Sequence, residues 1–185
     1  MFLRKSRIEP LPVTMSAVRM GERVLQIGVD DPVVASAIAA KVGLSGNAAI
    51  AVTDERDAAR AHGAAANAGV LVDVKVTPLA PLPFDNEAFD LVIVHGTRGL
   101  LSSIDAIARI AAMREWHRVI RHGGRVMTIE PGAVSGIKSL IQPRHSDEAY
   151  EGSGGVVGAL ESAGFRPVRL LADREGYKFA EGIKL

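Results

Sequence analysis

Polar residues follow a stretch of the sequence that is nearly all apolar, residues 89–94. His95, Thr97 and Arg98 come directly after this run, which is typical of a buried strand in a parallel sheet. An imidazole titrates near neutral pH and acts as a general base where a substrate must lose a proton. We therefore select His95 as a candidate base or orienting residue. The alternative is a loop histidine without a catalytic role.

A glycine ends another short apolar run near the start of the chain. Residues 24–27 read VLQI, and Gly28 follows them. A glycine after a strand lets the backbone approach a ligand closely, with the N–H groups of the next helix facing that ligand. Asp30 lies in the same turn. It either contacts such a ligand or, like Asp31, caps the helix that follows.

Acidic residues follow two further apolar runs. Asp54 and Glu55 come after residues 48–52, and Glu130 ends the run at 125–130. A carboxylate after a strand is available to a ligand, but Asp54 is equally suited to cap the alanine-rich helix after it. Glu130 is either a second polar group at the same edge or a structural residue.

Strands and helices alternate along the chain, and the polar residues above all come at strand ends. Short apolar runs bounded by Gly, Pro or Asp predict strands, and helical spacing of apolar residues predicts helices. The predicted strands are 24–27, 48–52, 70–76, 89–94, 125–130, 165–171 and 177–183. The predicted helices are 32–42, 57–68, 105–122 with Gly123 and Gly124 as its end, and 148–163. Residues 131–146 are predicted to be irregular, with a helical turn over 134–141.

This alternation predicts an α/β fold. The sheet should be doubly wound, seven-stranded and mostly parallel, with helices on both faces. The four-residue connection at 173–176 predicts a final hairpin, so the last strand should be antiparallel. Ligands of such sheets bind beyond the carboxyl ends of the strands. We predict an N-terminal extension over residues 1–20 and a single domain over residues 21–185.

Composition excludes several functional classes. The chain has 185 residues, with 22 Lys and Arg against 21 Asp and Glu, and this balance argues against a nucleic-acid binder. It has no cysteine, which excludes disulfides, thiolate metal sites and cysteine nucleophiles. We expect no metal site. No apolar run reaches the roughly 18 residues of a membrane span, and no signal peptide is recognisable, so we expect a soluble, cytoplasmic protein. Five arginines between positions 109 and 125 are predicted to form a solvated face, with binding of an acidic lipid or protein partner as the alternative.

Four segments carry a family resemblance through their order and spacing. They are residues 21–28 (GERVLQIG), 82–92 (LPFDNEAFDLV), 115–126 (EWHRVIRHGGRV) and 160–165 (LESAGF). Together they resemble class I S-adenosylmethionine-dependent methyltransferases, most of all the ubiquinone/menaquinone C-methyltransferase branch. The resemblance implies a Rossmann-like methyltransferase fold, S-adenosylmethionine as cofactor, and methyl transfer to a small-molecule acceptor.

The resemblance also assigns roles to individual residues. In the family an acidic residue after the second strand holds the two ribose hydroxyls, and His95 lies where the acceptor pocket begins. The residues that the resemblance places at the cofactor are Gly28, Asp30, Asp54, Glu55 and Leu79.

The glycine motif departs from the family pattern. Asp30 and Pro32 occupy two of its glycine positions, Gln26 replaces an acidic residue, and Pro78 replaces another near the adenine. These departures support an alternative, a catalytically degenerate methyltransferase-fold protein that serves as a binding or regulatory subunit. A second copy of the chain or another protein could complete the site. A nucleotide-binding oxidoreductase is a weaker interpretation, because the G-x-G-x-x-G fingerprint is missing.

Overall fold

The computed structural model of the chain describes residues 9–132 and 148–185. The strands are β1 (Arg23–Ile27), β2 (Asn47–Val52), β3 (Asp73–Val76), β4 (Phe89–His95), β5 (Ile120–Pro131), β6 (Val168–Arg174) and β7 (Tyr177–Ile183). The helices are α1 (Leu11–Met15), α2 (Pro32–Val42), α3 (Glu55–Ala68), α4 (Ala106–Val119), α5 (Glu148–Gly152) and α6 (Gly155–Ser162). The predicted turn over 134–141 lies outside the described residues.

The strands form one seven-stranded sheet in the order β3-β2-β1-β4-β5-β7-β6. Strands β1 to β5 pair in parallel, and β7 is antiparallel to both of its neighbours. The predicted fold class is thereby confirmed. Strand order reverses at β1, which lies between β2 and β4, so the turns after β1 and β4 border the crevice where such sheets bind ligands.

Helices cover both faces of the sheet. Val13 of α1 and Ile38 of α2 pack on one face with Ile93 of β4, and α3 joins this side through a smaller cluster. Trp116 of α4 and Leu160 of α6 pack on the opposite face. Because β4 is buried on both faces, its sequence is almost continuously apolar.

Two of the predicted helices end or break at other places than expected. Helix α4 ends at Val119, and the chain enters β5 directly at Ile120, so the Gly123-Gly124 pair lies inside the strand. The helix predicted over 148–163 is divided into α5 and α6. Its break falls at Gly154 and Gly155, whose φ angles of +94° and +57° are incompatible with a continuous right-handed helix.

The segment before β1 contributes a short helix that the sequence pattern did not predict. Val13 of α1 is 1% exposed and packs in the same cluster as Ile38 of α2. Arg125 of β5 donates a hydrogen bond to the carbonyl of Ala17 at 2.9 Å. The domain boundary at residue 21 stays a prediction, while residues on both sides of it share one core.

Two of the resembling segments are joined by a cluster that we call the loop anchor, formed by Glu115, Arg118 and the backbone of residues 82–86. Glu115 accepts a hydrogen bond from the N–H of Leu82 at 2.8 Å. Arg118 donates to the carbonyls of Leu82 and Phe84 at 3.1 and 2.9 Å and pairs with Glu115. Through these contacts the helix segment holds the loop segment in place.

Candidate active site

The turn after β1 needs glycine at its first position. Gly28 has a φ of +79°, and a Cβ there would lie 3.3 Å from the carbonyl oxygen of His95. Its N–H donates to the carbonyl of Ala51 in β2 at 2.8 Å. The backbone of three neighbouring strands therefore meets at Gly28, which leaves a backbone surface open to a ligand.

The two aspartates of this turn have different roles. Asp31 is the N-cap of α2 and accepts hydrogen bonds from the N–H groups of Val33 and Val34. Asp30 instead accepts from the Thr97 hydroxyl at 2.7 Å and from the N–H of Arg98 at 3.0 Å. Its carboxylate thus bridges the turn after β1 and the loop after β4, across the mouth of the crevice.

His95 lies on the face of the sheet that carries α2, in contact with Gln26 of β1. Its Nε2 lies 2.8 Å from the Gln26 Oε1, and the Gln26 amide donates to the carbonyl of Ala35 in α2 at 3.0 Å. Since the Gln26 amide nitrogen is the donor to Ala35, its oxygen must accept from the imidazole, so Nε2 carries the proton. Gln26 and His95 are 0% and 3% exposed. Their hydrogen bonds connect β1 to β4 and α2 beneath the turn that follows β1.

Burial governs the charge of His95. Loss of hydration lowers its pKa to about 4, although the negative charges of Asp30 and Asp31 act in the opposite direction. The imidazole is therefore neutral at physiological pH. A buried, neutral ring with one nitrogen already bonded is well suited to support the turn and poorly suited to accept a proton from a substrate.

The acidic residues after β2 lie at the exposed edge of the crevice. Asp54 is the N-cap of α3 and accepts from the N–H of Asp57 at 2.8 Å, so the helix begins two residues earlier than predicted. Glu55 is the first residue of the helix, and both side chains are exposed. Capping uses one carboxylate oxygen of Asp54, which leaves acceptor capacity for a ligand.

The structure brings four of the predicted site residues around one small cavity. Gly28, Asp30, Leu79 and His95 line it, whereas Asp54 and Glu55 lie outside its wall. Its volume is about 60 Å³, and binding sites for small molecules usually measure roughly 300 Å³ or more. The cavity alone is thus too small for a whole cofactor, and Asp30, which lines it, is bonded to Thr97 and Arg98 beside it.

The residues around the crevice match the chemical groups of S-adenosylmethionine. The bare backbone at Gly28 leaves room that a Cβ would fill, Asp54 offers a carboxylate for hydroxyl groups, and Leu79 offers an apolar surface for a ring. Asp30 presents a negative charge that suits the ammonium of the amino-acid end. When bound, this cofactor supplies a methyl group on a positively charged sulfur.

The opposite face of the same edge holds a buried polar cluster of Glu130, Tyr150 and Arg109. The Tyr150 hydroxyl donates to Glu130 at 3.3 Å, and the Arg109 guanidinium lies 4.1 Å from the centre of the Tyr150 ring. Tyr150 was not recognised in the sequence. Arg109 is 4% exposed, so the prediction of a solvated face is wrong for this residue. Its spacing from Ala112, Met113 and Trp116 on the apolar face of α4 was a signal for burial.

The described residues contain neither a metal site nor a membrane span. No group of three or more His, Asp or Glu side chains within 9–132 and 148–185 is arranged to hold a metal ion. In the same ranges no helix is both long enough and apolar enough to cross a bilayer.

Comparison with known sequences places the chain in a family. A family model described as "Methyltransferase domain" matches residues 25–128. The chain is 30% identical over 175 residues to the ubiquinone/menaquinone biosynthesis C-methyltransferase UbiE of Ralstonia pickettii, an alignment that covers 94% of this chain and 64% of that protein. It is also 30% identical over 119 residues to the protein of the same name from Cupriavidus metallidurans, which covers 64% of this chain and 46% of the relative. The chain thus spans less than two thirds of the length of these relatives.

Solved structures show the same fold at lower sequence identity. A SAM-dependent methyltransferase from Aquifex aeolicus has a TM-score of 0.73 at 17% identity, covering 94% of this chain and 87% of that chain. PigF, solved with SAH, has a TM-score of 0.65 at 17% identity and covers 88% of this chain and 50% of its own. The [4+2]-cyclase SpnF has a TM-score of 0.67 at 17% identity, covering 94% and 79% of the two chains.

A cyclase among these structures illustrates that the fold does not fix the reaction, so membership rests on the family model and the curated relatives. The comparisons give no support to a degenerate, noncatalytic subunit. From its sequence motifs, its sheet and these matches, the chain belongs to the class I S-adenosylmethionine-dependent methyltransferases, and it is similar to the ubiquinone/menaquinone biosynthesis C-methyltransferases.

Proposed function

We propose that this protein transfers the methyl group of S-adenosylmethionine to a ring carbon of a small hydroxylated aromatic acceptor. Its relatives are ubiquinone/menaquinone biosynthesis C-methyltransferases, which supports carbon as the methylated atom and a quinone precursor as the acceptor class. The single observation that carries the proposal is that Gly28, Asp30 and Leu79 line one crevice at the switch point of the sheet.

We assign cofactor contacts on the same geometry. The backbone at Gly28 approaches the amino-acid end, and Asp30 exchanges its bonds to Thr97 and Arg98 for the ammonium of that end. Asp54 holds the ribose hydroxyls with the oxygen that the helix cap leaves free, with Glu55 as its neighbour. Leu79 packs on the adenine.

We assign His95 a positioning role in place of the catalytic one predicted from the sequence. Its ring is buried on the α2 face, and its Nε2 is bonded to Gln26. Its carbonyl oxygen lies against Gly28, so the residue fixes the turn that holds the cofactor. Transfer of a methyl group from a sulfonium depends largely on the placement of the two reactants, so an error in the turn lowers the rate without any loss of a base.

We also propose that a protein partner or a second copy of the chain binds at the opposite edge of the sheet. Leu44 and Leu71 are 101% and 91% exposed, and they line a groove of about 670 Å³ next to the edge strand β3. Exposed apolar side chains around a groove are typical of contact surfaces. A structural neighbour is described as a methyltransferase in complex with the activator Trm112 of Haloferax volcanii. Light scattering across a concentration series measures self-association directly.

The function is tested by methyl transfer from deuterium-labelled S-adenosylmethionine to two reduced quinones, a benzoquinol and a naphthoquinol that each carry a free ring carbon. We expect a mass gain of one labelled methyl group on the ring carbon. Methylation on oxygen would contradict the assignment of the methylated atom. The absence of product with either quinol, from a protein that binds S-adenosylhomocysteine, would contradict the acceptor class.

A further inference from the structure

Glu130 lies at the carboxyl end of β5, on the face of the sheet opposite to His95. It shares that face with Val126, which packs with α4 and α6, and it is 7% exposed. A Cβ at Gly96 would come within 2.8 Å of the Glu130 Oε1, so glycine there makes room for the carboxyl group. Gly96 directly follows His95, whose carbonyl borders Gly28, so the carboxyl group lies beside the crevice that receives the cofactor.

Within residues 9–132 and 148–185, the hydrogen bonding of this carboxyl group is incomplete. In the part of the chain that the structure describes, its hydrogen-bond donor is the Tyr150 hydroxyl, at 3.3 Å. A carboxylate accepts about four hydrogen bonds, and buried polar groups in proteins are generally satisfied. Burial raises the pKa of Glu130 to about 7, against the effects of Tyr150 and Lys178. A buried carboxyl group with so few hydrogen bonds stabilises the fold little. We therefore consider Glu130 as a residue that binds a ligand.

Arg109 fixes the position of Tyr150. Its guanidinium donates to the carbonyls of Leu101 and Ile104 at 2.6 and 2.7 Å, and it lies 4.1 Å from the Tyr150 ring centre. A cation at this distance attracts the face of the ring.

We propose that Glu130 and Tyr150, held by Arg109, form the acceptor site for the hydroxyl group of a phenol or quinol ring, and that Glu130 takes the hydroxyl proton. This inference rests on the proposed function, because it names the groups that recognise the acceptor of that reaction.

The proposed step balances as follows in atoms and electrons. Glu130 accepts the hydroxyl proton, and the electron pair left on the oxygen delocalises onto the neighbouring ring carbon. That carbon forms a bond to the methyl carbon while the methyl carbon–sulfur bond breaks, and the pair of that bond stays on sulfur as a neutral thioether. The ring carbon then releases its hydrogen as a proton to water. The hydroxyl regains a proton from Glu130, so the net change is one methyl group gained and one proton released.

The test measures binding of 1-naphthol and of naphthalene, which lacks the hydroxyl, by fluorescence titration with S-adenosylhomocysteine present. We expect wild type to bind 1-naphthol about tenfold more tightly, as for a hydrogen bond to a charged group. Glu130→Gln should reduce this preference to about twofold, and Tyr150→Phe should reduce it in part. Glu161→Gln, an exposed carboxylate on α6, is the matched control and should keep the wild-type preference.

A pH series adds a readout that a merely structural role would not change. In the described part of the chain, the titratable and charged groups that face Glu130 are Arg109 of α4, Tyr150 and Glu151 of α5, and Lys178 of β7. The preference for 1-naphthol over naphthalene should rise in wild type as the pH increases through about 7. In Glu130→Gln this preference should not change with pH. Circular dichroism establishes that each variant folds.

The outcomes separate this inference from the proposed function. Equal binding of both probes by wild type, or a preference that Glu130→Gln leaves intact, would overturn the acceptor site. A hydroxyl preference that depends on Glu130, in a protein that methylates neither quinol, supports the site and contradicts only the proposed reaction. Tyr150→Phe keeps the test decisive if Glu130→Gln does not fold.

Discussion

His95 and Glu130 are buried titratable side chains at the same edge of the sheet, on opposite faces. His95 belongs to a hydrogen-bonded chain that runs through Gln26 to the backbone of α2. Among the residues that the structure describes, Glu130 accepts one long hydrogen bond, from Tyr150. Burial lowers the pKa of His95 and raises the pKa of Glu130, so it favours the neutral form of each group. The difference therefore lies in hydrogen bonding, and it separates a residue that supports the site from one that has capacity left for a ligand.

The two groups also affect stability in opposite directions over a similar pH range. The pKa of His95 falls from 6.5 to about 4 on folding, so the unfolded chain binds the extra proton and stability is lost as the pH falls through this range. The pKa of Glu130 rises from 4.5 to about 7, so the folded chain binds the extra proton and stability is lost as the pH rises. Single substitutions should separate the two contributions.

The largest expected effect is a gain in stability from Glu130→Gln. At pH 8 the variant avoids a buried negative charge, and its free energy of unfolding should exceed that of wild type by about 3 kcal/mol. At pH 4.5 the wild-type carboxyl is already neutral and the difference should nearly vanish. Urea denaturation at both pH values measures this, with Glu161→Gln as the control. If the variant and wild type differed in free energy of unfolding by the same amount at both pH values, Glu130 would not affect stability in the direction opposite to His95.

A loss of stability of about 2 kcal/mol is expected for His95→Asn at pH 7, because the variant breaks the bond to Gln26 in a closed interior. The difference in stability should be smaller at pH 4.5. At that pH the unfolded wild-type chain takes up a proton at His95, which lowers the stability of wild type as well. The variant should lower turnover and the affinity for S-adenosylhomocysteine together. Reduced turnover at unchanged affinity would instead indicate that His95 is a base.

Asp54 tests whether a helix cap also serves the cofactor. Asp54→Asn keeps a capping oxygen, so its stability should match wild type, while its affinity for S-adenosylhomocysteine should fall about tenfold through loss of the charge. Asp54→Ala should show the same fall in affinity and lose about 1 kcal/mol of stability. Asp105→Ala removes a comparable cap from α4 and serves as the control for affinity. If both Asp54 variants bound S-adenosylhomocysteine with wild-type affinity, Asp54 would serve only as the cap of α3.

The smallest effect is expected for Thr97→Val, which removes one of the two hydrogen bonds that Asp30 accepts across the crevice. Stability should fall by about 1 kcal/mol, since the bond is partly buried. Affinity for S-adenosylhomocysteine should not fall, because binding replaces this bond in any case. A fall of tenfold would show that the bridge persists in the bound state.

Local sequence patterns were sufficient to predict the fold because strands and helices alternate and because apolar runs mark the buried strands. They failed where tertiary packing decides the outcome. Helix α1 has only five residues, too few for a periodic signal. Residues 148–163 have helical spacing, but the backbone at Gly154 and Gly155 breaks the helix.

The candidate site was predicted only to the extent that it follows strand ends. Gly28 and Asp30 could be placed in the turn, but only the structure shows that Asp31 is the cap and that Asp30 contacts Thr97. Tyr150 lies on a short helix remote in sequence from Glu130, so no spacing rule relates them. The order of the strands and the packing of the helices bring them together.

The central claim is that the altered turn at Gly28 and Asp30 still binds the cofactor, and calorimetric titration of the protein with S-adenosylhomocysteine tests it most directly. We expect micromolar affinity, reduced in Asp54→Asn and retained in Asp105→Ala. Absence of heat up to millimolar concentrations, from protein shown to be folded, would contradict the claim.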